Sequence, residues 1–419
     1  MSLAQLAVVV LCTATLVVDG YDIQVMALVV PTLAKAWTLP PSSFGYALSA
    51  VVVGITVGAG LVGPFGDRFG RRTMLIWAMA AAGLATAATA LAESPGQFVA
   101  WRCVTGLALG AAVPSCAALT SEFSPVAHRS LVMGLLNCGT PLGAFGAGFL
   151  APPVLEAFGW RGTFVIGGVG PLVIAALALW IPESLKFLLA RSPSDARIER
   201  TLRKVAPDVS PSLLHVQAAP SLERRSSWDL VRPPYLTRTL LLWGMVSLNL
   251  FNLYVLISWL PTILQQSGWS SAGSQRGAVL IQAGGVVGGL CMAQFLDRGA
   301  TKPALIAGFV LSAGCLAAFT IVPGGIAWVA LLLLIGAGVS GSQLSLNALS
   351  AAYYPPAIKA TGVAWTLVIG GIGSMLGPLA GAWLLELGLM PVTIVALLAL
   401  PSLLCAAGAA LLRRQWQAY

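Results

Sequence analysis

Two carboxylates, Asp19 and Asp22, interrupt an otherwise apolar run from Leu3 to Ala34. At 1.5 Å per residue from Leu3 they lie about 24 and about 28 Å along a helix, well inside a bilayer. Their i,i+3 spacing puts them on one face. A charged Asp at that depth costs roughly 2.5–3.5 kcal/mol on insertion scales, so such residues face cavities and serve proton or ion pathways. The structural alternative is a pair of acids capping a helix broken at Gly20. Arg102 is the one basic residue inside an apolar stretch. It needs a partner: the acids of the first helix, a ligand carboxylate held bidentately, or backbone carbonyls. An intramembrane aspartyl-protease chemistry is excluded, because it takes carboxylates from different helices and these two share one. The seven cysteines all sit in apolar runs without metal-ligand spacing. No catalytic residue, metal or cofactor is expected, and the coupling ion would be H+.

The elements that must position these residues are membrane helices. The 419 residues are 58% hydrophobic and 9% charged, against roughly 25% charged in soluble domains. Mean hydropathy is +0.87. The apolar stretches run about 20 residues without period-2 alternation, which points to helices rather than a barrel. Spans are expected near 3–34, 44–65, 73–92, 97–117, 130–151, 162–181, 239–264, 278–296, 303–322, 327–349, 360–385 and 391–412. The expected fold class is an all-α polytopic membrane protein of twelve transmembrane helices in two six-helix pseudo-symmetric halves. The segment Leu3–Val18 reads as the start of span 1 rather than a signal peptide, because apolar character resumes after Asp22.

A net charge of +9 raises the question of nucleic acid, and its distribution answers it. With a cytoplasmic N-terminus, only Lys35, Arg161 and Arg276 of the 23 Lys and Arg fall outside, and Arg102 lies within a span. That is the positive-inside bias. Both termini are expected in the cytoplasm of a bacterial-type inner membrane, with the lipid bilayer and not nucleic acid as partner.

The sequence also repeats itself at an offset of 230. Asp67-Arg68 recurs as Asp297-Arg298, Pro31-Thr32 as Pro261-Thr262, Gly54 and Gly58 as Gly284 and Gly288, and Gly143 as Gly373. The halves are then 1–182 and 239–419, joined by a polar cytoplasmic linker at 183–238 with an amphipathic helix near 194–205. Two halves of like orientation predict a pseudo-two-fold axis along the membrane normal, with a substrate site between them near mid-depth. The positions equivalent to Asp19 and Asp22 are Asn249 and Asn252. The second half keeps the polar pair and drops the charge, which favours proton coupling over a symmetric metal cage.

The loop after span 2 reads Gly63-Pro-Phe-Gly-Asp67-Arg68-Phe-Gly70-Arg71-Arg72, with a degenerate copy ending in Asp297-Arg298. It resembles the signature loop of the major facilitator superfamily. Gly63 and Gly70 would allow close approach and a tight turn. Asp67 would accept hydrogen bonds from a neighbouring helix N-terminus, and the arginines would hold the loop at anionic lipid. Glu122 and Arg129 are expected to form a gating or structural ion pair. Asp19-Gly-Tyr-Asp22, with Gly341 to Ala348, Tyr354-Pro355, Lys359 to Gly362 and Trp365, resembles the aromatic acid/proton symporter family within that superfamily. The resemblance implies a monomeric secondary transporter that imports a small aromatic or related organic acid by proton symport through alternating access. The competing expectation is a drug or metabolite/proton antiporter of the same fold. Candidate substrate contacts are Tyr21, Arg102, Asn137, Asn249, Asn252, Tyr254, Gln282, Gln343, Asn347 and Trp365, each of which could equally serve helix packing. The family's Gly-Arg-x-Gly run is here Gly370-Gly371-Ile372-Gly373, so Gly371 stands where relatives place an arginine.

Overall fold

The computed structural model describes residues 2–125, 128–191, 198, 201–202, 230–233, 235–322, 325–354 and 358–412. Within the first part lie α1 (Leu3–Trp37), α2 (Gly45–Val57), α3 (Phe65–Phe69), α4 (Arg71–Thr89), α5 (Pro95–Phe123), α6 (Arg129–Asn137), α7 (Gly139–Leu177) and α8 (Leu185–Arg191). The second part holds α9 (Leu236–Gln266), α10 (Ser271–Asp297), α11 (Thr301–Ala318), α12 (Ile326–Tyr353), α13 (Lys359–Glu386), α14 (Pro391–Leu397) and α15 (Ala399–Leu411). A bilayer dictates this: with no water to satisfy backbone groups, each crossing must close its own hydrogen bonds. Local signals set the ends. Ser94 caps α5 by accepting from the Gln97 amide at 3.4 Å, and Pro95 occupies the first turn; such a cap contributes about 1 kcal/mol.

Nine segments among the described residues are long and apolar enough to cross a membrane by themselves. One of them, Leu131–Leu177, has 47 residues, about twice what one crossing needs. Its backbone leaves the helical region at Gly159, φ 64°, so it divides into two crossings. The expected loop at 152–161 is therefore helical apart from that glycine. The two remaining expected spans are α4 and α10, helices of 19 and 27 residues that fall outside the nine. In α4 the basic start, Arg71-Arg72, dilutes the apolar signal; part of α10 lies outside the residues whose side chains are described. The linker helix expected near 194–205 lies mostly outside the described residues; of it, Ile198 and Leu202 are helical and pack with Leu188.

By contact the chain forms two compact units, residues 1–23 with 50–220 and residues 24–49 with 221–419. The grouping departs from the sequence halves at one place: the second half of α1 and the start of α2 pack with α9 and α13. Ser49 donates to the Met375 carbonyl at 3.0 Å, for example. The first unit is cored by Val8, Leu75, Met79, Leu109, Leu119 and Phe123, the second by Leu242, Val246, Leu305, Phe309 and Leu346.

The 230-residue repeat is written into the packing of each unit. A Cβ at Gly54 would strike the Cys103 carbonyl, and one at Gly284 would strike that of Leu333. A Cβ at Gly143 would overlap the Val17 carbonyl, and one at Gly373 that of Ser247. Each contact in one unit is the other's shifted by 230. Only glycine lets these backbones touch, the small-residue logic of membrane helix association.

Candidate functional site

In the first unit the glycine contacts place the acids. α1 runs unbroken through Gly20, so the broken-helix alternative does not hold. Gly20 instead lies against the Thr140 backbone, and Gly143 against Val17. This brings Asp19 next to Thr140, whose side chain lies close to its carboxyl. Its Oδ1 has no hydrogen-bond partner among the described residues.

One turn further, Asp22 meets Arg102 of α5. The guanidinium takes both carboxylate oxygens, Nη1 to Oδ1 at 2.9 Å and Nη2 to Oδ2 at 2.7 Å, and adds the Asp22 carbonyl at 3.2 Å. Thr86 of α4 donates to Oδ1 at 3.4 Å. Phe164 of α7 stands 5.4 Å below the guanidinium, itself edge-packed by Phe98. Arg102 is 0% exposed and Asp22 6%. A bidentate pair over an aromatic face is the arrangement in which a buried guanidinium is best satisfied. Two adjacent carboxyls thus differ: one is clamped by a fixed cation, the other has only a hydroxyl nearby. Among the alternatives for Arg102, the structure realises the partner on the first helix. Tyr21 is half-buried, its ring edge near Gly167.

The second unit carries no charge at the equivalent positions. Asn249 donates to the Val339 carbonyl at 3.0 Å and to Gln343 Oε1 at 2.9 Å; Gln343 donates on to Asn347 at 3.0 Å. Asn252 donates to the Leu398 carbonyl and to Ser402. Where Arg102 stands in the first unit, the second has the fully buried Leu332. Gln282 is buried, Tyr254 half-buried, and Trp365 is 39% exposed and packed on Trp243. Asn137 turns back to its own helix, donating to Met133.

The signature loop builds a second cluster, wired differently from the expectation. Asp67 is not the helix-terminus acceptor. Its side chain is exposed and pairs with Arg71 at 3.1 Å. The N-terminus of α4 is capped by Glu183, which accepts from the amides of Arg72 at 2.8 Å and Thr73 at 3.3 Å. Sequence reading passed over Glu183 as a site residue; its signal was an acid directly after an apolar span. Gly70 has φ 105°, and a Cβ there would meet Glu183, so this turn takes glycine. Glu122 pairs with Arg71 and accepts from Ser184 at 2.5 Å. The expected Glu122–Arg129 pair is absent among the described residues, and Arg129 is exposed. The break between α5 and α6 puts the two on separate elements, so their spacing of seven does not bring them together. Gly63 is buried just ahead of α3, Arg68 is exposed over Phe69, and Arg298 is exposed. The Asp297 side chain lies outside the described residues.

One relation escaped sequence reading altogether. Arg72 donates to the carbonyls of Ala178 and Leu179 at the end of α7, and Lys302 to those of Ala410 and Leu412 at the end of α15. Arg72 and Lys302 are 230 apart, so each unit ties off its last long helix with the same basic position.

Residues 12–378 match the sequence profile of the Major Facilitator Superfamily. The chain belongs to that superfamily. Its relatives there include the 4-hydroxybenzoate transporter PcaK of Pseudomonas putida, 36% identical over 96% of this chain and 91% of that protein. The gallate transporter of Pseudomonas putida is 33% identical over 95% of this chain and 89% of its own length. Among solved structures, the inward open xylose transporter XylE from E. coli matches with a TM-score of 0.76 at 17% identity, covering 97% of this chain and 96% of that one. The major facilitator fold is thereby shown, and the relatives are transporters, not enzymes. This facilitator chain is a multi-pass membrane protein.

Proposed function

We propose that the protein is a secondary transporter that imports a small aromatic carboxylate together with a proton. The observation that carries this reading is the unequal pair on α1: Asp22 clamped by Arg102, and Asp19 buried with no ion-pair partner among the described residues. Holding a carboxylate buried without a counter-charge is costly, and taking up a proton removes that cost. Asp19 is therefore the proton carrier. The Asp22–Arg102 pair answers the change of charge beside it. The named substrates of the relatives, 4-hydroxybenzoate and gallate, supply the substrate class; both are hydroxylated aromatic acids. The amide chain Asn249–Gln343–Asn347 suits the ring hydroxyls, which amides bind as either donor or acceptor. Gly371 in place of an arginine, and Arg102 already engaged by Asp22, leave neither of those two positions to meet the substrate carboxylate. Proton and substrate together, not either alone, favour the change of access, since coupling draws only on differential binding to the two states. The orientation follows the positive-inside bias, with both termini cytoplasmic and the protein in a bacterial inner membrane.

The test is uptake of labelled 4-hydroxybenzoate, gallate, benzoate and a neutral phenol into proteoliposomes under an inside-alkaline gradient. Accumulation of a carboxylate that collapses with an uncoupler supports the reading. Export of hydrophobic cations under the reversed gradient, with no uptake of acids, would replace it with the antiporter.

A further inference from the structure

Beyond the buried acids, the second unit holds a cavity of about 390 Å³ at the end of α1 opposite the N-terminus. That volume is within the range of small-molecule sites. Its polar lining is Lys35, Thr38, Thr262, Gln265 and Gln266. The walls are repeat-equivalent: Gln265 stands 230 after Lys35, and Gly268 stands 230 after Thr38. The two helix ends are even closed by the same turn. Leu39 and Thr38 donate to the Ala34 and Lys35 carbonyls, as Trp269 and Gly268 donate to those of Leu264 and Gln265. These are Schellman motifs, whose left-handed residue is ordinarily glycine.

The copies differ where the chemistry lies. Gly268 takes φ 92° without cost, but its counterpart Thr38 is held at φ 53°, a rare conformation for a β-branched residue. Strain of this kind, of order 1–3 kcal/mol, gathers at ligand sites. Behind the cavity wall, the Thr262 hydroxyl is buried, the residue 2% exposed, and has no hydrogen-bond partner among the described residues. Lys35 is exposed and makes no ion pair among them. Lys35 and two primary amides line one small cleft, with the unpartnered Thr262 hydroxyl just behind its wall. No acid lines it.

We infer that this cleft is a capture site for the carboxylate of a small aromatic acid, with Lys35 as its counter-ion and Thr262 as a hydrogen-bond donor. The inference rests on the import reading for its direction, since the proposed orientation puts the cleft on the outer face. An exposed cation at a cavity mouth acts mainly on encounter and is screened by salt. The site therefore sets the half-saturating concentration rather than the maximal rate.

Uptake kinetics of 4-hydroxybenzoate in proteoliposomes test it, using wild type, Lys35→Gln, Lys35→Arg and Thr262→Val. Lys35→Gln is expected to raise KM about two- to fivefold, the range an exposed ion pair allows, with the maximal rate kept. Lys35→Arg should restore it, and added salt should bring wild type toward Lys35→Gln. Thr262→Val should raise KM while keeping the shape of the residue. Thr38→Gly should raise both KM and the unfolding temperature, a combination that a merely structural threonine does not give. A second readout does not depend on transport: modification of Gln266→Cys by a sulfonated thiol reagent, slowed by 4-hydroxybenzoate when Lys35 is present and not in Lys35→Gln. Protection without any uptake would keep the capture site and remove the import reading. Proton-driven uptake with wild-type KM in Lys35→Gln and Thr262→Val, and no protection, would overturn the capture site and leave the import reading standing.

Discussion

Arg102 and Asp22, 80 residues apart, are joined by two hydrogen bonds of 2.9 and 2.7 Å in a setting that excludes solvent from both. The pair links α1 to α5 and leaves Asp19 as the neighbouring carboxyl with no ion-pair partner among the described residues. Removing one member of a buried pair strands the other, at about 3–5 kcal/mol. Arg102→Ala should therefore lower the unfolding temperature in detergent sharply. The double change Asp22→Asn with Arg102→Gln should recover most of the stability, because neither partner is then charged. Equal destabilisation in single and double variants would mean that the pair is not the source.

The cap on α4 gives a second prediction. Glu183→Gln leaves a neutral acceptor facing two amides, and should cost about 1 kcal/mol. Gly70→Ala should cost more, because the added Cβ meets both a left-handed backbone and the Glu183 carboxylate. Asp67→Asn should be close to neutral for stability, since that side chain is exposed and its partner Arg71 keeps Glu122. Thermal unfolding of the three variants ranks them.

Lys302→Met should loosen the end of α15 by about 1 kcal/mol, through loss of two bonds to backbone carbonyls. Hydrogen exchange of the last turn of α15 reads this directly. Faster exchange there with an unchanged α7 end is the expected pattern; Arg72→Met should give the reverse.

Asn249→Leu would leave Gln343 Oε1 without its donor. The expected result is weaker uptake of 4-hydroxybenzoate with a smaller effect on benzoate, because the amide chain is assigned to the ring hydroxyl. Loss of both to the same degree would assign the residue to packing alone.

What the sequence made legible follows from where the physics leaves a mark. Asp19, Asp22 and Arg102 were readable because charge inside an apolar run is rare and expensive. The repeat was readable because glycines that touch backbone recur at fixed spacing. Glu183 and the Arg72–Lys302 correspondence were not, since a side chain that binds a helix end needs only to be charged and within reach. Asp67 was assigned the capping role because it sits in the motif; the acid that performs it comes from 116 positions later in the chain. The count of crossings blurred at α4, where Arg71 and Arg72 dilute the apolar signal, and at Gly159, where one helix runs almost into the next.

The most direct test of the account compares Asp19→Asn with wild type in proteoliposomes, measuring accumulation under an inside-alkaline gradient and exchange of labelled for unlabelled 4-hydroxybenzoate without one. The amide introduced by this substitution mimics the protonated acid, so exchange is expected to persist while gradient-driven accumulation is lost. Normal accumulation by Asp19→Asn would contradict the assignment of the proton to that carboxyl.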